Sequence, residues 1–380
     1  MEDEYSLRQR LGGSRRWVIK IGSALSTNEG VGLNHSAIKT WSKQIVFLMS
    51  AGHQVVLVTS GSVAEGATRL GWKERPHSLP QLQAAAAIGQ MGLVRGWDLA
   101  FEKSALQAAQ VLLTHDDLSD RTRYLNARST LSTLLELGVI PVINENDTVA
   151  TAELNLGDND TLAGLVSNLV EADLMVILTD QSGIMTADPR LQSDAKLVEY
   201  ASVDDPELDS RAGSGGAWGR GGMRTKLRAA RLAARSATST IIADGRVEDI
   251  LLSIRQGVGI GTLLHSKQEK VTARKQWLAG SLRPSGSLIL DEGACNALVR
   301  QGKSLLGVGV LKASGDFGRG DLVQLFDSDG LEIGRGLVNY TSLECRKIIG
   351  IPSSAIEETL GFVHEPELIH RDNLLVESLN

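Results

Sequence analysis

Short apolar runs, each stopping at a cluster of small polar residues and each separated from the next by a helical stretch, constrain this chain more than any other feature. Trp17–Ile21 and Gln54–Thr59 are two such runs, both followed by a Gly/Ser turn. Between them Asn34 is placed to cap a helix with Ile38, Trp41, Ile45 and Leu48 on one face, closed by Gly52. An Ala-rich helix is expected over Leu82–Lys103, then a strand over Ala109–Thr114 and a helix near Ser129–Leu137. A strand over Val139–Ile143, a helix over Thr161–Val170 and a buried strand over Leu174–Thr179 follow. Strands joined through helices require right-handed crossovers, so the chain up to about Leu264 is predicted to form an α/β fold with an open, mainly parallel sheet sandwiched by helices. After Arg283 the pattern changes. Short strands around Gly307–Lys312, Asp321–Phe326 and Glu332–Tyr340, joined by Gly/Asp turns, with a helix at Ala294–Val299, predict a small, mostly antiparallel second domain. The basic segment Lys267–Arg283 is the expected joint.

Open α/β sheets bind ligands where their strands end, and the run Val139–Ile143 leads straight into Asn144-Glu145-Asn146-Asp147 and then Asn155-Leu156-Gly157-Asp158-Asn159-Asp160. Asn and Asp also make turns and caps, and Asp158 or Asn159 is expected to cap the helix at Thr161. The density here exceeds what turns need, and a polar ligand pocket is the expectation. Lys20 closes the first apolar run; a lysine there is costly to bury without an acid or an anionic ligand, unless it lies at an exposed edge. Ser60, in Thr59-Ser60-Gly61, suits either a turn or a ligand donor, and Asp180, after Thr179 at a strand end, suits a polar nucleotide group. Gly219-Arg220-Gly221-Gly222-Met223-Arg224-Thr225-Lys226 precedes a helix expected over Leu227–Thr238. Glycines admit close backbone approach and a helix N-terminus favours anions, so phosphate contact is expected. The spacing matches neither a P-loop nor a Rossmann fingerprint, and a loop before an amphipathic helix is the other reading. Arg224, Arg228, Arg231 and Arg235 recur as one solvated face.

Bulk properties narrow the class. At 380 residues, with 42% hydrophobic and 22% charged residues, the chain suits an ordinary two-domain enzyme. No apolar run approaches the ~18 residues of a membrane span, and the acidic start Met1-Glu2-Asp3-Glu4 lacks the features of a signal peptide. Cys295 and Cys345 fit no disulfide framework, which points to a reducing cytoplasm and inert thiols. The seven histidines show no ligand spacing, so no histidine metal site is expected. From Pro284 onward 8 basic and 14 acidic residues give a net of −6, equal to that of the whole chain. A nucleic-acid-binding tail is normally basic.

Taken together, the Lys20 loop, Thr59-Ser60-Gly61, Ile143-Asn144-Glu145-Asn146-Asp147, Gly157-Asp158-Asn159-Asp160, Thr179-Asp180 and Arg220–Lys226 resemble the amino-acid kinase family, in particular its glutamate-phosphorylating branch. The match covers roughly Arg15–Leu264, and Ala273-Arg274-Lys275-Gln276-Trp277 resembles that branch's linker. Gly307-Val308-Gly309-Val310 and Gly315-Asp316-Phe317-Gly318-Arg319-Gly320-Asp321 resemble a PUA domain. Three departures stand out: Arg220 for a small residue, Met185 for a Tyr and Leu156 for a Phe, the first two on the nucleotide side.

The resemblance implies a catalytic domain over 15–264, a linker over 265–283 and a PUA-like domain over 284–364. It implies ATP-dependent phosphorylation of the side-chain carboxylate of L-glutamate to L-glutamyl 5-phosphate, the first step toward proline. Lys20, Lys226 and Asp160 would be catalytic, with Asp160 organising the two lysines. Ser60, Asp147 and Asn159 would bind the amino acid. Lys20, Thr179, Asp180 and Arg220, Gly221, Gly222, Met223, Arg224, Thr225 and Lys226 would bind ATP, with Mg²⁺ riding on the nucleotide and no dedicated metal cage. A homo-oligomer, proline as feedback inhibitor and a glutamyl phosphate reductase taking the labile product are the implied partners; neither RNA nor a membrane is expected. The competing readings are a kinase for another acid (aspartate, acetylglutamate or carbamate) and an RNA-binding protein acting through the PUA-like domain.

Overall fold

The computed structural model describes residues 3–74, 76–149, 158–187, 192, 194–211, 222–266 and 284–376. They fall into two compact units, one containing most residues up to 266 and the other containing those from 284. The expected linker over 265–283, apart from its first two residues, lies outside the described residues, as do Leu156, Arg220 and Gly221.

In the first unit the strands are β1 (Arg16–Ile21), a small hairpin of β2 (Thr27–Asn28) and β3 (Val31–Leu33), then β4 (Gln54–Val58), β5 (Ala108–Leu113), β6 (Ile140–Glu145), β7 (Leu174–Thr179), β8 (Tyr200–Ser202), β9 (Ser239–Asp244) and β10 (Thr262–His265). Eight of them form one sheet in the order β5-β6-β4-β1-β7-β9-β10-β8. Every pairing in it is parallel except β9 with β10. Helices cover both faces, so β1, β4, β6 and β7 are mainly apolar and buried throughout their centres. Trp17, Ile19, Ile21, Val55, Leu57, Val176 and Leu178 form one side of the core. Against them packs the helix His35–Ser50, whose Ile38, Trp41, Ile45 and Leu48 are all buried and whose cap Asn34 accepts from the Ala37 N–H, as the spacing predicts.

The elements anticipated from the sequence differ mainly at their ends, while the β2–β3 hairpin, β8, β9, β10 and the helix Ser62–Arg69 were not anticipated. The Ala-rich helix begins at Leu79, one residue after Ser78, with Pro80 in its first turn, where the missing N–H costs nothing. The helix expected near Ser129 begins at Arg121, because Asp120 accepts from the Arg123 N–H and caps a stretch with little apolar periodicity. β6 continues through Asn144 and Glu145, which pair with Leu112 and Leu113 of β5. Backbone pairing there overrides the turn preference of the side chains. The helix expected from Leu227 starts at Met223, with Gly222 as its cap.

The second unit is a five-stranded sheet of β11 (Gly286–Leu290), β12 (Val310–Gly315), β13 (Leu322–Phe326), β14 (Glu332–Leu337) and β15 (Leu374–Val376), in the order β12-β11-β13-β14-β15. Only β11 with β13 is parallel. Gly307–Gly309 is a 3₁₀ turn rather than the start of a strand. β11 and β15 were not anticipated; both are short and half-exposed, with weak alternation. The expected helix is there as Glu292–Gln301, capped by Asp291. This unit has its own core, including Leu288, Leu290, Val323, Leu325, Ile333, Val338, Tyr340 and Ile348.

Candidate active site

Because β1, β4, β6, β7 and β9 run parallel, their carboxyl ends share one edge of the sheet. From β1 the chain moves to β4 on one side, and from β7 it moves toward β9 and β8 on the other. β1 and β7 are neighbours, so the topological switch point, the usual ligand crevice of such sheets, lies between them. Lys20 stands near the end of β1, paired through its backbone to Val58 and Ile177, and Thr179 ends β7.

Lys20 is buried, and the acid that makes this tolerable is Asp160, whose Oδ1 lies 2.6 Å from Lys20 Nζ. This contact is an ion pair set off the line of an aligned hydrogen bond. The other oxygen, Oδ2, accepts from Lys226 Nζ at 3.1 Å and from the Thr225 hydroxyl at 2.7 Å. One carboxylate, 2% exposed, therefore holds two buried ammonium groups, one on each oxygen. Burial alone would raise the pKa of Asp160, but Lys20 first and Lys226 second override it and hold the carboxyl well below the usual range. Burial pulls the Lys226 pKa down; Asp160 opposes that shift.

Asp160 reaches this position because the helix Asn159–Leu169 starts there. Asp158 caps it by accepting from the Thr161 N–H at 3.1 Å, which settles the choice between Asp158 and Asn159. Asn159 is thereby turned inward. Its Nδ2 donates to Ser60 Oγ at 3.0 Å and its Oδ1 accepts from the Glu145 N–H at 3.3 Å, tying the ends of β4 and β6 together. Ser60 precedes Gly61, whose φ of +116° is the left-handed conformation that favours glycine. The next residue, Ser62, opens the helix Ser62–Arg69 and donates to Asp147 Oδ2 at 3.2 Å.

Ser60, Asp147, Asn159 and Asp160 are thus linked or adjacent, and Lys20, Thr225 and Lys226 meet on Asp160. Thr179 donates to Asp180 Oδ1 at 3.1 Å, and Asp180 is exposed at the end of β7. Met223 and Arg224 occupy the first turn of the helix Met223–Ala234 behind Gly222. Arg224, Arg228 and Arg235 are exposed, and Arg231 pairs with Asp209 through two bonds of 2.7 and 2.9 Å, so the arginine stripe is a solvated face. Met185 forms an isolated bridge with Leu197. Burial pushes the Cys345 thiol up to about 12 and raises that of Cys295, so neither is a nucleophile at neutral pH.

Sequence reasoning missed the hydroxyl of Thr225 as a partner of Asp160. It also missed Gln90 and Ser62, which Asn144 approaches through its Nδ2 at 2.8 and 3.4 Å. Gln90 shares its helix with Gln81 and Gln83 and with charged residues, so no local signal singled it out. Among the described residues no group of three His, Cys, Asp or Glu side chains is placed to hold a metal ion, and no helix is long and apolar enough to cross a membrane.

The amino acid kinase family profile matches residues 15–244 and that of the PUA domain residues 286–360. Proteins named glutamate 5-kinase from Pseudomonas paraeruginosa and Pseudomonas syringae pv. tomato are each 58% identical to this chain over 371 residues, which is 97% of it and 100% of theirs. One of the same name from Stutzerimonas stutzeri is 57% identical with the same coverage. With a matched segment that spans the switch point, both lysines and the carboxylate between them, the chain belongs to the amino acid kinase family and carries a PUA domain behind its kinase domain.

Proposed function

We propose that this chain transfers the γ-phosphoryl group of ATP to the side-chain carboxylate of L-glutamate, giving L-glutamyl 5-phosphate, the first step of proline biosynthesis. The observation that carries the reading is the pair of buried lysines held on the two oxygens of Asp160 at the switch point. The extent of likeness to proteins named glutamate 5-kinase selects the acceptor.

A carboxylate with a reference pKa of about 4.3 is ionised near neutrality and needs no general base. One of its oxygens attacks the γ-phosphorus while the bond from that phosphorus to the bridging oxygen breaks, and ADP leaves with the electron pair. The obstacle is bringing an anion to a polyanion, which positioning and charge neutralisation overcome. Lys20 and Lys226 supply the positive charge, and Asp160, itself held by the Thr225 hydroxyl, keeps both from drifting. Asp147 and Asn159 hold the amino-acid head group with help from Ser60. Thr179, Asp180, the glycine-rich segment with Arg220 and Gly221, and Gly222–Lys226 take the nucleotide.

A kinase of this family acting with ATP implies a divalent cation. Both oxygens of Asp160 are taken by lysines and the described donors make no cage. The cation is therefore best written as part of the substrate, Mg²⁺ with ATP. The catalytic domain spans 15–264, a linker 265–283 and the PUA-like domain 284–364. The cytoplasm, a homo-oligomer, proline as inhibitor and a reductase that takes the labile product complete the reading. An ATP-dependent hydroxamate assay with glutamate, aspartate and acetylglutamate tests it: glutamate should give the acyl phosphate, and a chain that activates another acid but not glutamate refutes the assignment.

A further inference from the structure

Gln90 has no part in the reading above, yet it is tied to the residues that do. It sits within the helix Leu79–Glu102, 9% exposed, and its Oε1 accepts from Asn144 Nδ2 at 2.8 Å. Asn144 Nδ2 also lies 3.4 Å from Ser62 Oγ, and that hydroxyl donates to Asp147 Oδ2 at 3.2 Å. The helix is held in register with Ser62 by its backbone. A Cβ on Gly89 would lie 1.8 Å from Ser62 O, and one on Gly66 would lie 1.7 Å from Ala85 O, so nothing larger than glycine fits between the two helices.

This chain of contacts also fixes which way the amides face. Ser62 has one proton, spent on Asp147, so Asn144 must turn its Nδ2 to that hydroxyl, and Gln90 must then turn its Oε1 to Asn144. One donor and one acceptor remain: Gln90 Nε2 and Asn144 Oδ1 are both buried and meet no partner. An unpaired buried polar group costs about 1–3 kcal/mol, and an apolar pair of similar shape would avoid both costs. Gln90 and Asp147 line the same cavity, of about 240 Å³, together with Glu145 and Gln110. Asn144, bonded to Gln90, stands behind the cavity rather than in its lining, so the unpaired amide donor of Gln90 and the carboxylate of Asp147 are the pair there that matches the carboxylate and ammonium of a free α-amino acid.

We propose that Gln90 is a further substrate-binding residue: its Nε2 donates to the α-carboxylate of the bound amino acid while Asp147 takes the α-ammonium. This rests on the amino-acid kinase reading above. Gln90 thereby selects for acids that keep their α-carboxylate, because an analogue without it leaves Nε2 unpaired.

The test compares glutamate with 4-aminobutyrate, which is glutamate without the α-carboxylate, in the wild type, Gln90→Met and Gln90→Glu. Gln90→Met should raise KM for glutamate roughly tenfold or more, the value of a hydrogen bond to a charged group, and leave KM for ATP unchanged. It should also cut the preference in kcat/KM for glutamate over 4-aminobutyrate by a similar factor, which a merely loosened fold would not do. Gln90→Glu keeps an acceptor for Asn144 but puts a charge where the donor was, so it should do worse than Met with glutamate and not with 4-aminobutyrate. A Gln90→Met enzyme that melts like the wild type and keeps the full preference overturns the proposal. So does a Gln90→Glu enzyme with the wild-type KM for glutamate, and that variant carries the test alone if Gln90→Met does not fold. A wild type inert toward glutamate would instead remove the kinase reading, before any variant is compared.

Discussion

Three side chains on one carboxylate define the chemistry at the scale of residues, and each can be removed separately. Lys20→Ala and Lys226→Ala should each lower kcat by about 10²-fold or more, because the charge they neutralise develops mainly as the phosphoryl group moves. KM for ATP and glutamate should change far less in steady-state assays; a variant with normal kcat and only a raised KM would make that lysine a simple binding group. Asp147→Ala and Asn159→Ala should behave differently, raising KM for glutamate while leaving KM for ATP nearly unchanged. His53 gives a prediction of another kind. Its Nδ1 donates to Ser14 O at 2.7 Å and its Nε2 accepts from Arg255 at 3.2 Å, so it is neutral in the fold. Burial lowers its pKa, and the charge of Arg255 adds to that. A histidine with a depressed folded pKa binds protons more readily when unfolded, so its contribution is intact above the unfolded value of about 6.5 and lost as pH falls below it. Melting temperature should therefore drop between about pH 7.5 and 5.5, and His53→Gln should flatten that dependence; an unchanged slope would refute it.

Among elements, the tightest junction is between the helices Ser62–Arg69 and Leu79–Glu102, where glycine permits backbone-to-backbone contact. Gly66→Ala and Gly89→Ala would each place a methyl within 2 Å of a backbone oxygen, at 1.7 and 1.8 Å. Overpacking of this kind typically costs about 1–3 kcal/mol. Because Ser62 opens the first helix and bonds Asp147, each change should also raise KM for glutamate more than KM for ATP; a loss of stability with both constants unchanged would separate the junction from the site. The sequence periodicity made β1, β4, β5, β6, β7 and the long helices among them legible, since a sheet covered on both faces demands apolar runs, whereas β8, β9 and β10 were not anticipated. Lys20 was legible because a charge in such a run needs a partner. The partner itself became legible only through family resemblance, because Lys20, Asp160 and Lys226 are brought together by crossovers that no local pattern encodes. Gln90 escaped for the same reason: its meaning depends on Asn144, which lies on a different element. β11 and β15 escaped because short, half-exposed strands alternate too weakly to stand out.

For the whole molecule, each unit has its own buried core, and every catalytic residue proposed lies in the first. Units with separate cores usually fold independently. A chain ending near Gly280 should be soluble, melt cooperatively and still phosphorylate glutamate in the hydroxamate assay. A truncated chain that folds but is inactive would show that the second unit completes the site. The isolated second unit, with its net of −6 from Pro284 onward, should bind RNA weakly at physiological salt, since phosphate contacts dominate nonspecific affinity.

The carboxylate shared by two amines has a further consequence. An acyl phosphate is an acylating agent, and this one would be released beside two primary amines. An ammonium group has no lone pair and cannot attack it. Burial favours the neutral amine at Lys226 and Asp160 opposes that shift, so Asp160 should limit acylation of Lys226 by the product. Asp160→Asn should lose that protection as well as rate. Incubated with ATP and glutamate, it should slowly accumulate a glutamyl adduct on Lys226, visible by peptide mass spectrometry, while the wild type stays clean.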